Sequence, residues 1–218
     1  MDKLKVGVIG LRGHAGRHIQ MLRQNPDVNL GRVYYHRSPP PGYEDLPITN
    51  NLSDCLDMDV IIISSPTPLH TQQVDLLRDY PGYILLEKPA ASRKEEIDQL
   101  LRLPSELKSR IQINFNFRFH DLSVQLGELI PSSTLGEIFA FDVHSSHGGA
   151  FRDDWHDSWR LGGESGFGPL ETVGIHFIHF ALGHFGRCHR AVTQTTSLSQ
   201  RLGSVDTGAL TMRMESGT

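Results

Sequence analysis

A short apolar strand that runs into three evenly spaced glycines leaves a chain few folds to choose from. Val6, Val8 and Ile9 form a β-branched run of the kind that a parallel sheet covers on both faces. Gly10, Gly13 and Gly16 follow, and a helical pattern begins at once and fades near Asn25-Pro26. Gly10 can turn the chain out of the strand, Gly13 lets the backbone approach a pyrophosphate, and Gly16 lets the helix pack on the strand. The free N–H groups at the helix start suit an anion. This spacing is one residue longer than the common G-x-G-x-x-G, and an ordinary glycine-rich turn is the competing explanation. The preceding strand and following helix favour a dinucleotide site, with Arg12, His14 and Ala15 between the glycines.

The rest of the composition narrows the partners. The chain has 218 residues, 38% of them hydrophobic, enough for one large domain or two modest ones. A formal net charge of −4 gives no reason to expect nucleic acid or an anionic membrane as partner. There is no signal-peptide core and no run of membrane-spanning length, and Cys55 and Cys188 lie far apart, so a reduced, cytoplasmic protein is expected. Histidine is abundant, with 12 copies. The pairs His144/His147 and His176/His179 have a spacing that can ligate metal, but no cysteine pair or His-Glu-x-x-His accompanies them, and no metal site is expected.

Further strands are expected at residues 29–35, 60–63, 83–86 and 111–114, with a short Ser53-capped helix near residues 53–57, a helix to about Leu77, and a helix opened by a Ser92-Arg93-Lys94-Glu95 capping box. That last helix should turn Ile97, Leu100 and Leu101 inward. The βαβ alternation predicts a doubly wound parallel sheet over residues 1–118. Ligands bind such sheets at the carboxyl ends of the strands, where Ser65-Pro66-Thr67-Pro68-Leu69-His70 and Glu87-Lys88-Pro89 fall. The second strand ends in Tyr35-His36-Arg37-Ser38, without the acid that holds an NAD ribose. Arg37, helped by Ser38 and His36, can bind a 2′-phosphate, which favours NADP over NAD; a solvated arginine at the head of a proline loop is the alternative.

From residue 119 the pattern becomes α+β. A helix is expected over 121–130, a strand with alternating apolar residues over 136–144, a long Gly/Asp/Trp-rich loop over 145–169, a buried helix over 170–185, and strands over 191–196 and 206–215.

Several motifs together resemble one family: the glycine turn, Ser65-Pro66-Thr67-Pro68-Leu69-His70, Leu86-Glu87-Lys88-Pro89, Asn116-Phe117-Arg118-Phe119-His120, Leu135-Gly136-Glu137-Ile138, Trp159-Arg160 and Gly174-Ile175-His176. They are similar to the glucose-fructose oxidoreductase and inositol dehydrogenase family, written Gfo/Idh/MocA. The resemblance implies a Rossmann domain followed by an α+β domain on an open sheet. It implies hydride transfer between NAD(P) and a sugar, sugar nucleotide or cyclitol, and a homo-oligomer formed through the second-domain sheet. The family's cofactor positions fall on Gly10, Arg12, Gly13, His14, Ala15, Gly16, His36, Arg37, Ser38, Ser65, Pro66, Thr67, His70, Glu87 and Lys88. Its substrate positions fall on Lys88, Arg118, Trp159, Arg160, Thr172 and His176, of which Lys88 and His176 are the catalytic pair.

A lysine with an ordinary pKa near 10.4 must drop by about three units, roughly 4 kcal/mol, to accept a hydroxyl proton at neutral pH. Otherwise Lys88 stays charged and orients the hydroxyl while His176 takes the proton. Trp155 would join Trp159 and Arg160 in the pocket. Two departures stand out. Thr172 occupies the place where many catalytic members carry an aspartate, leaving Glu171, Asp153, Asp154 or Asp157 to polarise His176, and His179 replaces another common aspartate. The second domain also stops after few strands, as a fragment or a shortened member would, with an edge that a partner chain could cover. These departures are the ground for the alternative, a non-catalytic nucleotide-binding sensor or assembly protein.

Overall fold

The computed structural model describes residues 2–132, 134–146, 148–151, 168–199 and 205–218. The chain divides into two compact units, Met1–Asn114 and Phe115–Thr218.

The first unit is a six-stranded parallel sheet in the order β3-β2-β1-β4-β5-β6. Its strands are β1 (Leu4–Ile9), β2 (Val28–Tyr34), β3 (Ile48–Thr49), β4 (Val60–Ile63), β5 (Tyr83–Glu87) and β6 (Ile111–Asn114). Helices α1 (His14–Gln24), α2 (His70–Leu76), α3 (Lys94–Leu101) and α4 (Ser105–Ser109) make the crossovers. The order reverses at the β1/β4 boundary, where ligands bind doubly wound sheets.

Strand side chains alternate, so each central strand feeds two cores. Val6, Val8 and Ile62 join Leu11, Ala15 and Ile19 on the α1 side. Ile9, Ile61, Ile63, Ile84 and Leu86 join Val74, Leu77, Tyr80 and Leu107 on the opposite side. Each fully buried aliphatic side chain contributes about 1.5–3 kcal/mol, and this double row is what makes the sheet unit cohesive.

Three local expectations need correction. The turn Leu52–Cys55 is a 3-10 helix capped by Asn51, whose side chain accepts from Ser53 N, rather than by Ser53. Glu96, not Glu95, closes the capping box, its Oε2 accepting from Ser92 N, Ser92 Oγ and Arg93 N. Of the three apolar residues of α3, only Leu100 packs on the core. Ile97 and Leu101 are 49% and 64% exposed, and the buried places go to Leu103 and Leu107 beyond the helix, because α3 is too short to present a full inward stripe.

The second unit holds a 3-10 turn (Asn116–Phe119), α5 (Asp121–Leu129), a π-helical turn (Leu170–Gly174) continuing into α6 (Ile175–Phe185), and an antiparallel pair, β7 (Cys188–Thr196) and β8 (Thr207–Met214). Its core is Ala181, Phe185 and Met214 with Ile138 and Phe141 packed against them. The expected strand over 136–144 does not form. Its alternation is present, but β7 and β8 pair with each other, and among the described residues no ladder reaches it; Phe139 is 86% exposed. The helix expected to be buried throughout is only partly so, with Leu182 43% exposed. Among the described residues no helix is long and apolar enough to cross a membrane.

Candidate functional site

In the first unit the strand ends and the glycine turn assemble side by side. Gly10 has φ +125°, and a Cβ there would stand 2.7 Å from Ser64 O and 3.0 Å from Ala15 Cβ, so only glycine lets β1 and β4 close up around the turn. Gly13, the N-cap of α1, has φ +62°, and a Cβ there would meet nothing within 4 Å. The space beside the Gly13 α-carbon is therefore open. Helix α1 has no side-chain cap and no acid in its first turn, which leaves its N-terminal N–H groups to an anion. Gly16 is less demanding than expected, since a Cβ would meet only Leu11 O at 3.4 Å. Arg12 is exposed, His14 half-buried and Ala15 buried under the turn. His36, Arg37 and Ser38 lie exposed just beyond β2, without a carboxylate among them.

Glu87 continues the row of Leu85 on the α1 side of β5, and there it meets α1. His18 Nε2 lies 2.7 Å from Glu87 Oε1, Asn114 Nδ2 donates to the same oxygen at 2.7 Å, and Lys88 N donates to Oε2 at 3.2 Å. Burial pushes the Glu87 carboxyl up, but the His18 and Asn114 bonds, with the charges of His14 and His18, outweigh it and the pKa falls below its ordinary value. Glu87 is 6% exposed, so its carboxylate pins α1, β5 and β6 together behind the half-buried Lys88. The Lys88–Pro89 peptide is cis.

His70, 1% exposed, places Nδ1 3.0 Å from Pro89 O and Nε2 3.0 Å from Ser65 O. Burial holds its pKa below the ordinary value despite those two carbonyls and the charges of Glu87 and Glu96. Ser65 Oγ donates to Gln73 Oε1 at 2.6 Å; Thr67 is buried and Pro66 exposed in the same loop. Glu87 and His70, both expected among the cofactor positions, thus have internal partners. His18, Asn114 and Gln73 went unnoticed in the sequence, because their partners lie 69, 27 and 8 residues away and no local pattern marks them.

In the second unit, buried His176 and half-buried His179 lie one turn apart on α6 and stack on two phenylalanines two residues apart. Phe117 lies over His176 and Phe115 over His179, both with ring centroids 4.0 Å apart. Burial, then the nearby charge of Arg118, lowers the His179 pKa. Arg118 is exposed over the Phe119 ring at 5.3 Å. Thr172 Oγ1 donates to Gly168 O at 2.9 Å, and Glu171 Oε2 accepts from Gly168 N at 2.8 Å, so both side chains close the turn at the head of the helix. His147, Asp153, Asp154, Trp155, Asp157, Trp159 and Arg160 lie outside the described residues.

Two family models cover nearly the whole chain. One, described as "Oxidoreductase family, NAD-binding Rossmann fold", matches residues 4–115, and the other, "GFO/IDH/MocA C-terminal domain", matches residues 123–218. The chain is 21% identical over 219 residues to the scyllo-inositol 2-dehydrogenase (NADP(+)) IolW of Bacillus subtilis, covering 97% of this chain and 60% of that protein. Among solved structures it resembles the WlbA dehydrogenase of Bordetella pertussis in complex with NADH and UDP-GlcNAcA. The TM-score is 0.81 and the identity 19%, over 100% of this chain and 68% of that one. It also resembles the myo-inositol 2-dehydrogenase of Lactobacillus plantarum, with a TM-score of 0.77 and 20% identity over 100% of this chain and 68% of that one. The chain spans about three-fifths of the length of the curated relatives it matches, 58% and 60% for the first two.

Proposed function

The chain belongs to the GFO/IDH/MocA oxidoreductase family, and from that premise we propose that it moves a hydride between NAD(P) and a hydroxyl or carbonyl carbon of a sugar, sugar nucleotide or cyclitol. The observation that carries the proposal is the head of α1, an uncapped helix start with open space at Gly13, beside the strand ends that bring Ser65 and Lys88 to the same edge of the sheet. A dinucleotide fits this donor set: backbone N–H groups for the pyrophosphate, and Arg37 with Ser38 and His36 for a 2′-phosphate, which makes NADP the preferred cofactor.

A bound nicotinamide ring supplies the hydride acceptor or donor. When the C–H bond of a secondary alcohol breaks with its electron pair, the O–H bond must release a proton as the carbonyl forms. Lys88, held from behind by the Glu87 network, orients that hydroxyl or takes its proton; in the second case its ammonium must first be deprotonated, and in the first His176 is the acceptor. The first unit would hold the cofactor, and the second, which contains Arg118, the substrate. The exposed face of β7 is the surface we assign to a homo-oligomer. The buried thiol of Cys55, its pKa pushed up to about 11 chiefly by burial, suits a reduced cytoplasm.

A second reading, nucleotide binding without turnover, draws on Thr172, which stands where many catalytic members of the family carry an aspartate and has no carboxylate to polarise His176. Fluorescence titration with NADPH and NADH, followed by assay of Lys88→Ala on inositols and sugar nucleotides, separates the readings. The oxidoreductase binds NADPH more tightly, and K88A keeps binding while losing about 10²–10⁴ in rate. Binding without turnover in the wild type favours the second reading, and binding of neither dinucleotide overturns both.

A further inference from the structure

The geometry points to His70 as a positioning residue: its buried imidazole lies between the Ser65 carbonyl, after β4, and the Pro89 carbonyl, after β5, and its N–H fastens to α2 either the loop assigned to the cofactor or the loop carrying Lys88. The inference rests on the functional assignment of those two loops.

Three observations carry it. Both ring nitrogens stand 3.0 Å from a backbone carbonyl oxygen, so His70 has no nitrogen left for a ligand, and at 1% exposure it has no route to one. The two carbonyls belong to segments that leave adjacent parallel strands, whose ladder ends with the pairing of Ile63 and Leu86; beyond that rung the ring lies between the two exits. The β4 loop is fastened a second time by Ser65 Oγ to Gln73, one turn further along α2 from His70, so the helix holds this loop by two side chains.

The chemistry of imidazole makes the clamp asymmetric. A neutral ring carries one N–H, so it bonds one of the two carbonyls and turns the lone pair of its other nitrogen toward the second, which it does not hold. The Nδ1–H form holds Pro89 and the lysine loop. The Nε2–H form holds Ser65 and the cofactor loop. An asparagine amide reproduces the Nδ1 donor and a glutamine amide the Nε2 donor, so His70→Asn and His70→Gln each keep one half of the clamp.

Hydrogen–deuterium exchange on the cofactor-free chain tests it directly. The expected result is faster exchange in one loop of one variant: at residues 64–69 in H70N when Nε2 carries the proton, or at residues 87–92 in H70Q when Nδ1 does, with the rest of the first unit unchanged. In the dinucleotide titration and the assay, the first case weakens cofactor affinity about fivefold in H70N with kcat held, and the second lowers kcat about tenfold in H70Q with affinity held. Exchange that rises evenly across the unit, or in neither loop, overturns the clamp and leaves His70 as packing. If both variants fail to fold, NMR of the wild type decides: a slowly exchanging ring N–H coupled to the carbonyl carbon of Ser65 or Pro89 supports the clamp, and coupling to neither overturns it. A wild type that binds neither dinucleotide, with one variant still showing the exchange confined to its loop, overturns the functional assignment alone.

Discussion

Phe117 lies flat on His176, with ring centroids 4.0 Å apart and the planes 12° from parallel, and Phe115 repeats the arrangement on His179 at 16°. Two residues along one backbone and three along a helix bring the same spacing to four rings, so the short segment after β6 fixes both imidazoles. His179 pays for its place by burial, which holds its pKa below the ordinary 6.5.

The native state therefore binds fewer protons at His179 than the unfolded chain does near pH 6, and the stability gained from the neutral ring is present above about pH 6.5 and lost as the pH falls below it. His179→Phe keeps a ring for Phe115 and removes the titration. Thermal unfolding at pH 7.5 and 5.5 should show a smaller loss of Tm in H179F than in the wild type, with His70, also lowered by burial, supplying the remainder. An unchanged pH response assigns the whole effect elsewhere.

Glu87 gives a separate, more acidic limb. Its folded pKa lies below the ordinary 4.5, so its contribution is full above that value and disappears as the pH drops through the folded value. In Glu87→Gln the limb flattens, and at pH 7 the loss of a charged acceptor for His18 and Asn114 costs about 1–3 kcal/mol. Urea unfolding from pH 3.5 to 7 measures both. A limb that survives intact belongs to other lowered carboxyls such as Glu96.

The two positive-φ glycines of the turn should separate folding from binding. Gly10→Ala drives a methyl to 2.7 Å from Ser64 O and strains the backbone, costing about 2–4 kcal/mol. Gly13→Ala meets no atom and costs about 1–2 kcal/mol for its left-handed backbone alone. It nonetheless fills the dinucleotide's approach, so cofactor affinity should fall at least about tenfold while Tm falls by less than in G10A. Equal effects of the two on Tm, or unimpaired binding in G13A, contradict this.

Cofactor choice is predicted to sit at Arg37. Replacing it with aspartate puts a carboxylate where a ribose hydroxyl is preferred and a 2′-phosphate is repelled. Titration of R37D should show NADPH affinity reduced about ten- to a hundredfold and NADH affinity retained or improved. Parallel losses for both dinucleotides count against Arg37 as the selector.

The parallel sheet was legible because burial on both faces demands β-branched runs, and Val60-Ile61-Ile62-Ile63 can hardly be anything else. The glycine turn was legible because positive φ and close approach leave a residue type behind. Alternation over residues 136–144 misled, since periodicity records which side is apolar and not whether a partner strand is present. The Glu87 and His70 networks were invisible for another reason: their hydrogen bonds join residues that only the β5 and β4 register brings together. The supports of the site, unlike its glycines, have no local signature.

The strand order places β1 inside the sheet, paired with β2 on one side and β4 on the other, although it comprises residues 4–9. On most sheets the loss of a single border strand leaves the others paired. Here the loss of β1 would pull out the keel, parting the remaining strands into β2–β3 and β4–β5–β6, each with a raw side. The cohesion of the whole first unit thus runs through one six-residue strand.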